Sequence, residues 1–184
     1  MNTIKILRIY TDGACSGNQS RENVGGWGAI LEFGEHTKEL YGGELNTTNN
    51  KMEMTALLEA LKAVKKPDCT IEVFSDSSYL ISCFKEKWYE KWQKNGWLTS
   101  SKTPVENKDL WIQLLSYISL HRISFFKVKG HVNLSHPSTD AQKHFEKFRQ
   151  WNGDHMTYQM FEHATEMNNR ADRLANIAMD ELRR

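Results

Sequence analysis

Two segments with the character of β-strands each end in an aspartate. The first, TIKILRIYTD, mixes apolar and polar positions and leads through Asp12 into a Gly-Ala-Cys-Ser-Gly turn. The second, CTIEVFSD, is short and apolar and leads through Asp76 into two serines. In α/β proteins, ligands usually bind where strands end at one edge of the sheet. Because a buried, ionised carboxylate is costly unless something pairs with it, the pattern calls for a positively charged partner.

The rest of the pattern predicts an α/β fold with a five-stranded mixed sheet. Two further strands, 23–33 and 36–45, are joined by a short polar turn and predict an antiparallel meander. Helical periodicity follows, and then strand–helix–strand units whose strands pair in parallel. The predicted helices cover 47–66, 77–84, 105–121 and 168–184, and the fifth strand covers 122–131. We therefore expect one domain over 1–184, with helices flanking the sheet.

Composition excludes several classes of protein. Lys and Arg total 24 against 23 Asp and Glu, so any basic surface must be local. The three cysteines are scattered, which argues against a disulfide framework or a cysteine zinc site and favours a reducing compartment. The first residues lack the apolar core of a signal peptide, and no apolar run is long enough to cross a bilayer. These features predict a monomeric cytoplasmic protein with no membrane partner.

Two more carboxylates lie on or beside the apolar faces of predicted helices. Glu53 shares its helix face with Leu57 and Ala60, and Asp172 borders the apolar stripe of the last helix. Singly, such residues are often turn formers or partners of a helix dipole. Jointly, four clustered carboxylates repel one another, and a divalent cation removes that repulsion. Their hard oxygen ligands suit Mg²⁺, with Mn²⁺ as a substitute.

The sequence motifs around these residues resemble those of the type 1 ribonuclease H family. They are YTDGACSGN, GGWGAIL, TTNNKMEMTALLEAL, SDSSYLI, KWYEKWQKNGW, PVENKDLW, VKGHV and NNRADRLA, in family order. The resemblance implies a ribonuclease H-like fold and an endonuclease that hydrolyses the RNA strand of RNA/DNA hybrids. It also implies two-metal catalysis that leaves 3′-hydroxyl and 5′-phosphate ends. The metal ligands implied are Asp12, Glu53, Asp76 and Asp172, with His131 assisting catalysis.

The same resemblance implies where the hybrid binds. Minor-groove contacts that sense the RNA 2′-hydroxyl fall at Asn18, Asn49, Asn50 and Ser78. Ser78 stands where family members often carry a longer glutamine. A pocket for a DNA-strand phosphate falls at Thr48 and Asn107. Asn46 replaces an arginine often found beside that pocket, which predicts a weaker phosphate contact.

Residues 85–102 combine lysines with tryptophans. Trp88 and Trp92 share a helical face, and lysines with aromatic rings can hold phosphates, sugars and bases. The alternative is a charged helix whose tryptophans belong to the core. The family has a basic protrusion here, so the resemblance implies that Trp88 and Trp92 bind the DNA strand.

Residues 133–167 do not match the family pattern, which has only a short loop between His131 and Asp172. Aromatic residues and methionines at helical spacing predict an inserted helical hairpin, with its own small core, before the last helix. Its three basic and five acidic residues argue against a nucleic-acid clamp. Its histidines invite a zinc interpretation, but their spacing matches no common zinc pattern. The insertion is either an ornament on the last helix or a lid or protein-partner site.

Two other functions remain open at this stage. The first is another nuclease of the same broad fold, such as a junction resolvase or integrase core. The second is a catalytically weak or silent module that binds hybrids. The TTNN and Trp/Lys motifs argue against another nuclease of this fold. The presence of all four carboxylates argues against a silent binding module.

Overall fold

A five-stranded sheet organises the molecule, and the computed structural model describes residues 5–17 and 23–184. The strands are β1 (Ile6–Ser16), β2 (Val24–Phe33), β3 (His36–Leu45), β4 (Thr70–Ser75) and β5 (Arg122–Lys127). Their order is β3-β2-β1-β4-β5. β1, β2 and β3 pair antiparallel, whereas β4 lies parallel to both β1 and β5. The predicted open mixed sheet is confirmed.

The first four helices cover one face of this sheet. They are α1 (Asn49–Lys62), α2 (Ser78–Lys85), α3 (Trp88–Lys94) and α4 (Lys108–Ile118). α1 is shorter than the predicted 47–66, and it begins at Asn49 because the hydroxyl of Thr48, the residue before it, accepts a hydrogen bond from the Lys51 N–H. Neighbouring strand residues alternate between faces, so Ile9 joins the core under these helices while Tyr10 joins the core on the other side.

The inserted segment packs on that second face. Its first helix is α5 (Ala141–Asn152). Phe145 and Phe148 of α5 share one buried cluster with Tyr10, Phe74 and Phe126 of the sheet. The insertion is therefore a helical hairpin, but the prediction that it has its own core is wrong. The aromatic residues of the sheet belong to the same apolar core as those of the hairpin.

The second arm of the hairpin and the last helix are one element, α6 (Tyr158–Leu182). The sequence pattern predicts instead that the insertion ends at residue 167 and that the last helix begins at residue 168. The helix runs on because no glycine or proline interrupts these 25 residues. Its start is fixed by Thr157, whose hydroxyl accepts a hydrogen bond from the Met160 N–H.

The end of α5 is attached to β5 by the side chain of Asn152. Its Oδ1 accepts from the Lys127 N–H at 2.9 Å, and its Nδ2 donates to the Lys127 carbonyl at 2.8 Å. This amide pairs with β5 as an additional strand would. It holds the insertion to the residue that pairs with Ser75, immediately before Asp76.

We expect Asn152→Ala to lower the free energy of unfolding by about 1–2 kcal/mol, because two half-buried hydrogen bonds are lost. Chemical denaturation measures this loss. The matched control is Asn95→Ala, which removes two similar hydrogen bonds to Leu98 in an exposed turn. Equal losses for both variants would show that the Asn152 attachment adds no stability of its own.

None of the helices within residues 5–17 and 23–184 has the length and apolar character needed to cross a lipid bilayer.

Candidate active site

Asp12 and Asp76 meet because β1 and β4 run in parallel and in register. Thr11 pairs with Ser75, so the next residue of each chain lies at the same edge of the sheet. Asp12 is buried within β1, and Asp76 directly follows β4. The two aspartates meet as predicted, but the predicted turn directly after Asp12 is wrong. β1 continues to Ser16, because residues 13–16 stay paired with β2.

Glu53 is brought to the aspartates by the close approach of α1 to β1. A β-carbon on Gly13 would lie 2.5 Å from the Glu53 backbone nitrogen, so only glycine permits this packing. The Glu53 side chain is buried on the inner face of α1. One carboxylate oxygen from each of Asp12, Glu53 and Asp76 lies within 4.8 Å of the others.

Asp172 approaches the group from α6. Two glycines of β2, Gly26 and Gly28, allow the helix backbone close to the sheet. β-carbons there would lie 2.1 Å from the Ala175 carbonyl and 2.3 Å from the Ala171 carbonyl. Asp172 is not one of the three carboxylates clustered within 4.8 Å, but it lines the same cleft of about 510 Å³. The predicted set of four thus consists of a tight trio and a bordering member.

The trio creates an electrostatic problem in the protein alone. Burial, followed by the charges of Glu53 and Asp76, raises the pKa of Asp12 to about 11. Burial raises the pKa of Glu53 well above its usual range, and burial also raises the pKa of Asp76. Glu53 Oε2 is buried and has no hydrogen-bond partner. An orphaned carboxylate oxygen among like charges fits a divalent cation with oxygen ligands.

We expect these raised pKa values to make the chelated protein less stable as pH rises. A carboxyl group whose folded pKa exceeds its unfolded value stabilises fully below about pH 4 and loses that contribution as pH rises toward the folded pKa. Asp12→Asn removes one such group. In chelator its melting temperature should exceed that of the wild type, and the difference should grow between about pH 5 and pH 8. Each kcal/mol corresponds to about 2–4 °C. A difference independent of pH would contradict this reasoning.

His131 lies at the rim of the same cleft. It follows β5 in a left-handed backbone conformation, φ 58°, and its side chain is largely exposed. Its Nδ1 lies 3.9 Å from Asp172 Oδ2. The preceding Gly130 has a steric role, since a β-carbon there would lie 2.2 Å from Asp76 Oδ2. The insertion leaves His131 beside the carboxylates.

Asn168 is a buried polar residue of the site that the sequence analysis did not single out. It lies one turn before Asp172 on α6, is 2% exposed, and its amide lowers the pKa of the Asp76 carboxyl group. Its Oδ1 has no partner. The available signal was its spacing of four residues from Asp172, which places both on one helical face.

We expect Asn168→Leu, which keeps the side-chain branching and removes the amide, to weaken divalent-cation binding or turnover by about 10–100-fold. The amide lowers the pKa of Asp76, so its loss disfavours the charged, cation-binding form of that carboxylate. Calorimetric titration with Mg²⁺ and steady-state kinetics measure the two effects. Gln159→Leu removes an exposed amide nine residues earlier on α6 and should be neutral. An Asn168→Leu variant with unchanged cation affinity and turnover would contradict this role of Asn168.

The predicted polar substrate residues that the structure describes lie at the starts of three helices, α1, α2 and α4. Asn49 and Asn50 line the carboxylate cleft at the start of α1, directly after Thr48. Ser78 opens α2 beside Asp76, and its hydroxyl accepts from Lys127 Nζ at 2.7 Å. Asn107 precedes α4 in a left-handed conformation and makes no side-chain capping hydrogen bond. Asn18 lies outside the described residues.

Trp88 and Trp92 differ in their surroundings. Trp88 is exposed at the start of α3, with its ring centroid 6.4 Å from that of Trp92. Trp92 is half-buried and packs against Trp97 and Trp111 at 6.1 and 5.5 Å. Trp88 is therefore free to contact a ligand, whereas Trp92 also belongs to the core, as the alternative interpretation held.

An open mixed sheet with carboxylates gathered where the parallel pairing of β1 and β4 ends defines the ribonuclease H-like class of fold. Solved structures share it. LC9-RNase H1, a type 1 RNase H with the type 2 active-site motif, superimposes with a TM-score of 0.68 at 22% identity, over 98% of this chain and 75% of that one. LC11-RNase H1 in complex with an RNA/DNA hybrid gives a TM-score of 0.57 at 20% identity, over 97% and 99%.

Sequence relatives define the family. The RNase H family profile matches residues 5–180. Ribonuclease H of Thermoanaerobacter sp. is 54% identical over 132 residues, covering 72% of this chain and 83% of the relative. Ribonuclease H of Clostridium botulinum is 41% identical over 178 residues, covering 97% of this chain and 98% of the relative, so that alignment spans the insertion. The chain belongs to the type 1 ribonuclease H family and is a ribonuclease H enzyme.

Proposed function

We propose that this enzyme hydrolyses the RNA strand of RNA/DNA hybrids with two bound Mg²⁺ ions, leaving 3′-hydroxyl and 5′-phosphate ends. The observation that carries the proposal is the buried trio of Asp12, Glu53 and Asp76 with the orphaned oxygen of Glu53. Asp172 completes the ligand set from α6. Mn²⁺ suits the same oxygen ligands and is expected to substitute.

Bound divalent cations would supply an activated water and stabilise the leaving oxygen. The residues of the chain bind and orient. The trio would hold the cations at the edge of the sheet, and Asn168 would favour the charged form of Asp76. His131, exposed at the rim, is placed to carry a proton to or from the reacting phosphate.

Recognition of the hybrid is proposed along the same edge of the sheet. Asn49 and Asn50 offer amides that both donate and accept at the cleft, which suits the 2′-hydroxyl and base edges of a shallow minor groove. Ser78 is short, but its hydrogen bond to Lys127 brings a positive charge to this position. Asn18 is proposed with these residues. The enzyme is proposed to act as a cytoplasmic monomer.

Contacts to the DNA strand are proposed for the helix starts and the protrusion. Thr48 and Asn107 precede α1 and α4, two helices that pack together, and would hold one phosphate. Asn107 is suited because its side chain is not used as a helix cap. Trp88 and Trp92 are proposed to pack on the backbone of the DNA strand, with Trp88 as the exposed contact.

The test is cleavage of one labelled sequence prepared as RNA/DNA hybrid, double-stranded RNA, double-stranded DNA and single-stranded RNA. Each is incubated with Mg²⁺, with Mn²⁺ and with chelator, and the product ends are analysed. Metal-dependent cutting of the hybrid RNA strand alone is the expected result. Cutting of a different substrate would favour another nuclease of this fold, and hybrid binding without cutting would favour a binding module.

A further inference from the structure

A second cleft of about 660 Å³ continues the catalytic cleft on the side of the insertion. It lies between the end of β5 and α5. Asp76 and His131 line both clefts, so the two clefts adjoin. A chain bound across the carboxylates can therefore reach the cleft beside α5.

Positive charge is concentrated on this second cleft, although the insertion as a whole is acidic. Lys143 and Lys147 lie four residues apart on α5 and face it together with Lys127 and Lys129, which end β5 and follow it. The acidic residue that α5 contributes to the lining is Glu146. The charge count over 133–167 argues against a nucleic-acid clamp, but it does not show on which face each charge lies.

The acidic residues of the insertion have other positions. Asp140 caps α5 and Asp154 pairs with Arg149, while Glu162 and Glu166 line a different cleft. Within residues 5–17 and 23–184, none of the four lysines of the second cleft lies within 4.0 Å of a carboxylate. Their charges remain available to a ligand.

Trp151, one turn beyond Lys147, holds the lysines in place. Lys127 Nζ lies 4.5 Å and Lys147 Nζ 5.7 Å from the Trp151 ring centroid, and Lys85 Nζ donates to the Trp151 carbonyl at 3.2 Å. Partial burial, and then the charge of Lys127, lower the pKa of Lys85. Lys127 and Lys147 thus pack against the Trp151 ring, and Asn152, the next residue, is hydrogen-bonded to the backbone of Lys127. These contacts gather positive charge at one site that suits an anion.

We infer that the cleft lined by Lys127, Lys143 and Lys147 binds the phosphate backbone of the hybrid beside the cleaved bond. The inference rests on the proposed function. Lysines release counterions when they meet phosphates, and a row of lysines at helical spacing can follow a nucleic-acid strand. The insertion thus adds a substrate-binding wall beyond the basic protrusion at 85–102.

The test compares hybrid affinity in an Asp12→Asn background, which prevents cleavage. We expect Lys143→Gln with Lys147→Gln to raise the Kd about tenfold near 0.1 M salt and to reduce the slope of log K against log salt by about one to two. The matched control is Lys65→Gln with Lys66→Gln, the same charge change at exposed positions near the opposite end of β4. Fluorescence anisotropy over a KCl series measures both quantities, and melting temperatures establish that each variant is folded.

A second variant, which removes a negative charge instead of positive ones, tests the inference independently of the lysine pair. Glu146→Gln removes an exposed negative charge from the lining and should tighten hybrid binding about twofold to fivefold. Equal Kd and salt slope for the two double-lysine variants, or no tightening by Glu146→Gln, would overturn the inference. If the Asp12→Asn parent itself fails to bind hybrid, the proposed function fails first and this inference fails with it.

Discussion

Replacing Asp12 with asparagine is expected to reduce hybrid cleavage by at least about a thousandfold while hybrid binding is retained. Asp12 is one of the three clustered carboxylates, so the variant loses a proposed metal ligand. The amide is nearly isosteric, and it removes a charge that burial disfavours, so the fold should persist. Single-turnover kinetics and anisotropy measure cleavage and binding separately.

Asp180→Asn is the matched control, because it removes an exposed carboxylate from the end of α6 where Arg183 is its partner. Its cleavage rate should stay within about twofold of the wild type. Retention of even a tenth of the wild-type rate by Asp12→Asn would remove Asp12 from the proposed metal site. Loss of hybrid binding together with cleavage would instead contradict the proposed function.

Gly28→Ala is expected to destabilise the protein by about 1–3 kcal/mol and to slow cleavage by about a hundredfold. The added β-carbon would lie 2.3 Å from the Ala171 carbonyl, a backbone atom that cannot rotate away. α6 must therefore move outward at the residue before Asp172. Chemical denaturation and kinetics on the same preparation measure the two effects.

Gly43→Ala is the matched control on the same sheet and against the same helix. There the nearest obstacle is the terminal methyl of Leu182, 2.6 Å away, which can rotate at the end of α6. We expect a smaller loss of stability and an unchanged cleavage rate. If Gly43→Ala slows cleavage as much as Gly28→Ala does, displacement of Asp172 is not the cause.

The sequence predicts most of the site because its main parts depend on local patterns. Asp12 and Asp76 come directly after Thr11 and Ser75, the last residues that pair between the parallel strands β1 and β4, so both lie at one edge of that pairing. Glu53 is recognisable because it occupies an apolar position of α1. Asp172 is recognisable by the family motif NNRADRLA. Its position at the edge of the apolar stripe of α6 corresponds to its place beside the trio.

What the sequence misses depends on contacts between distant residues. Gly28 and Gly130 read as ordinary glycines until the atoms opposite them are known. The insertion reads as a self-contained hairpin because Phe145 and Phe148 recur at helical spacing. The pattern cannot show that their partners are Tyr10 and Phe74 of the sheet. The lysines of α5 are likewise diluted by acidic residues that face elsewhere.

The continuous helix α6 makes the insertion inseparable from the active site. Its 25 residues form a rod about 37 Å long, whose first turns belong to the insertion and whose middle carries Asp172. Excising 133–167 would remove the Thr157 cap and start the helix at Asn168. The unpaired N–H groups of a fraying first turn would then lie within about one turn of Asp172. An attempt to shorten this enzyme toward the compact members of its family would need a new cap for α6 as well as a shorter loop.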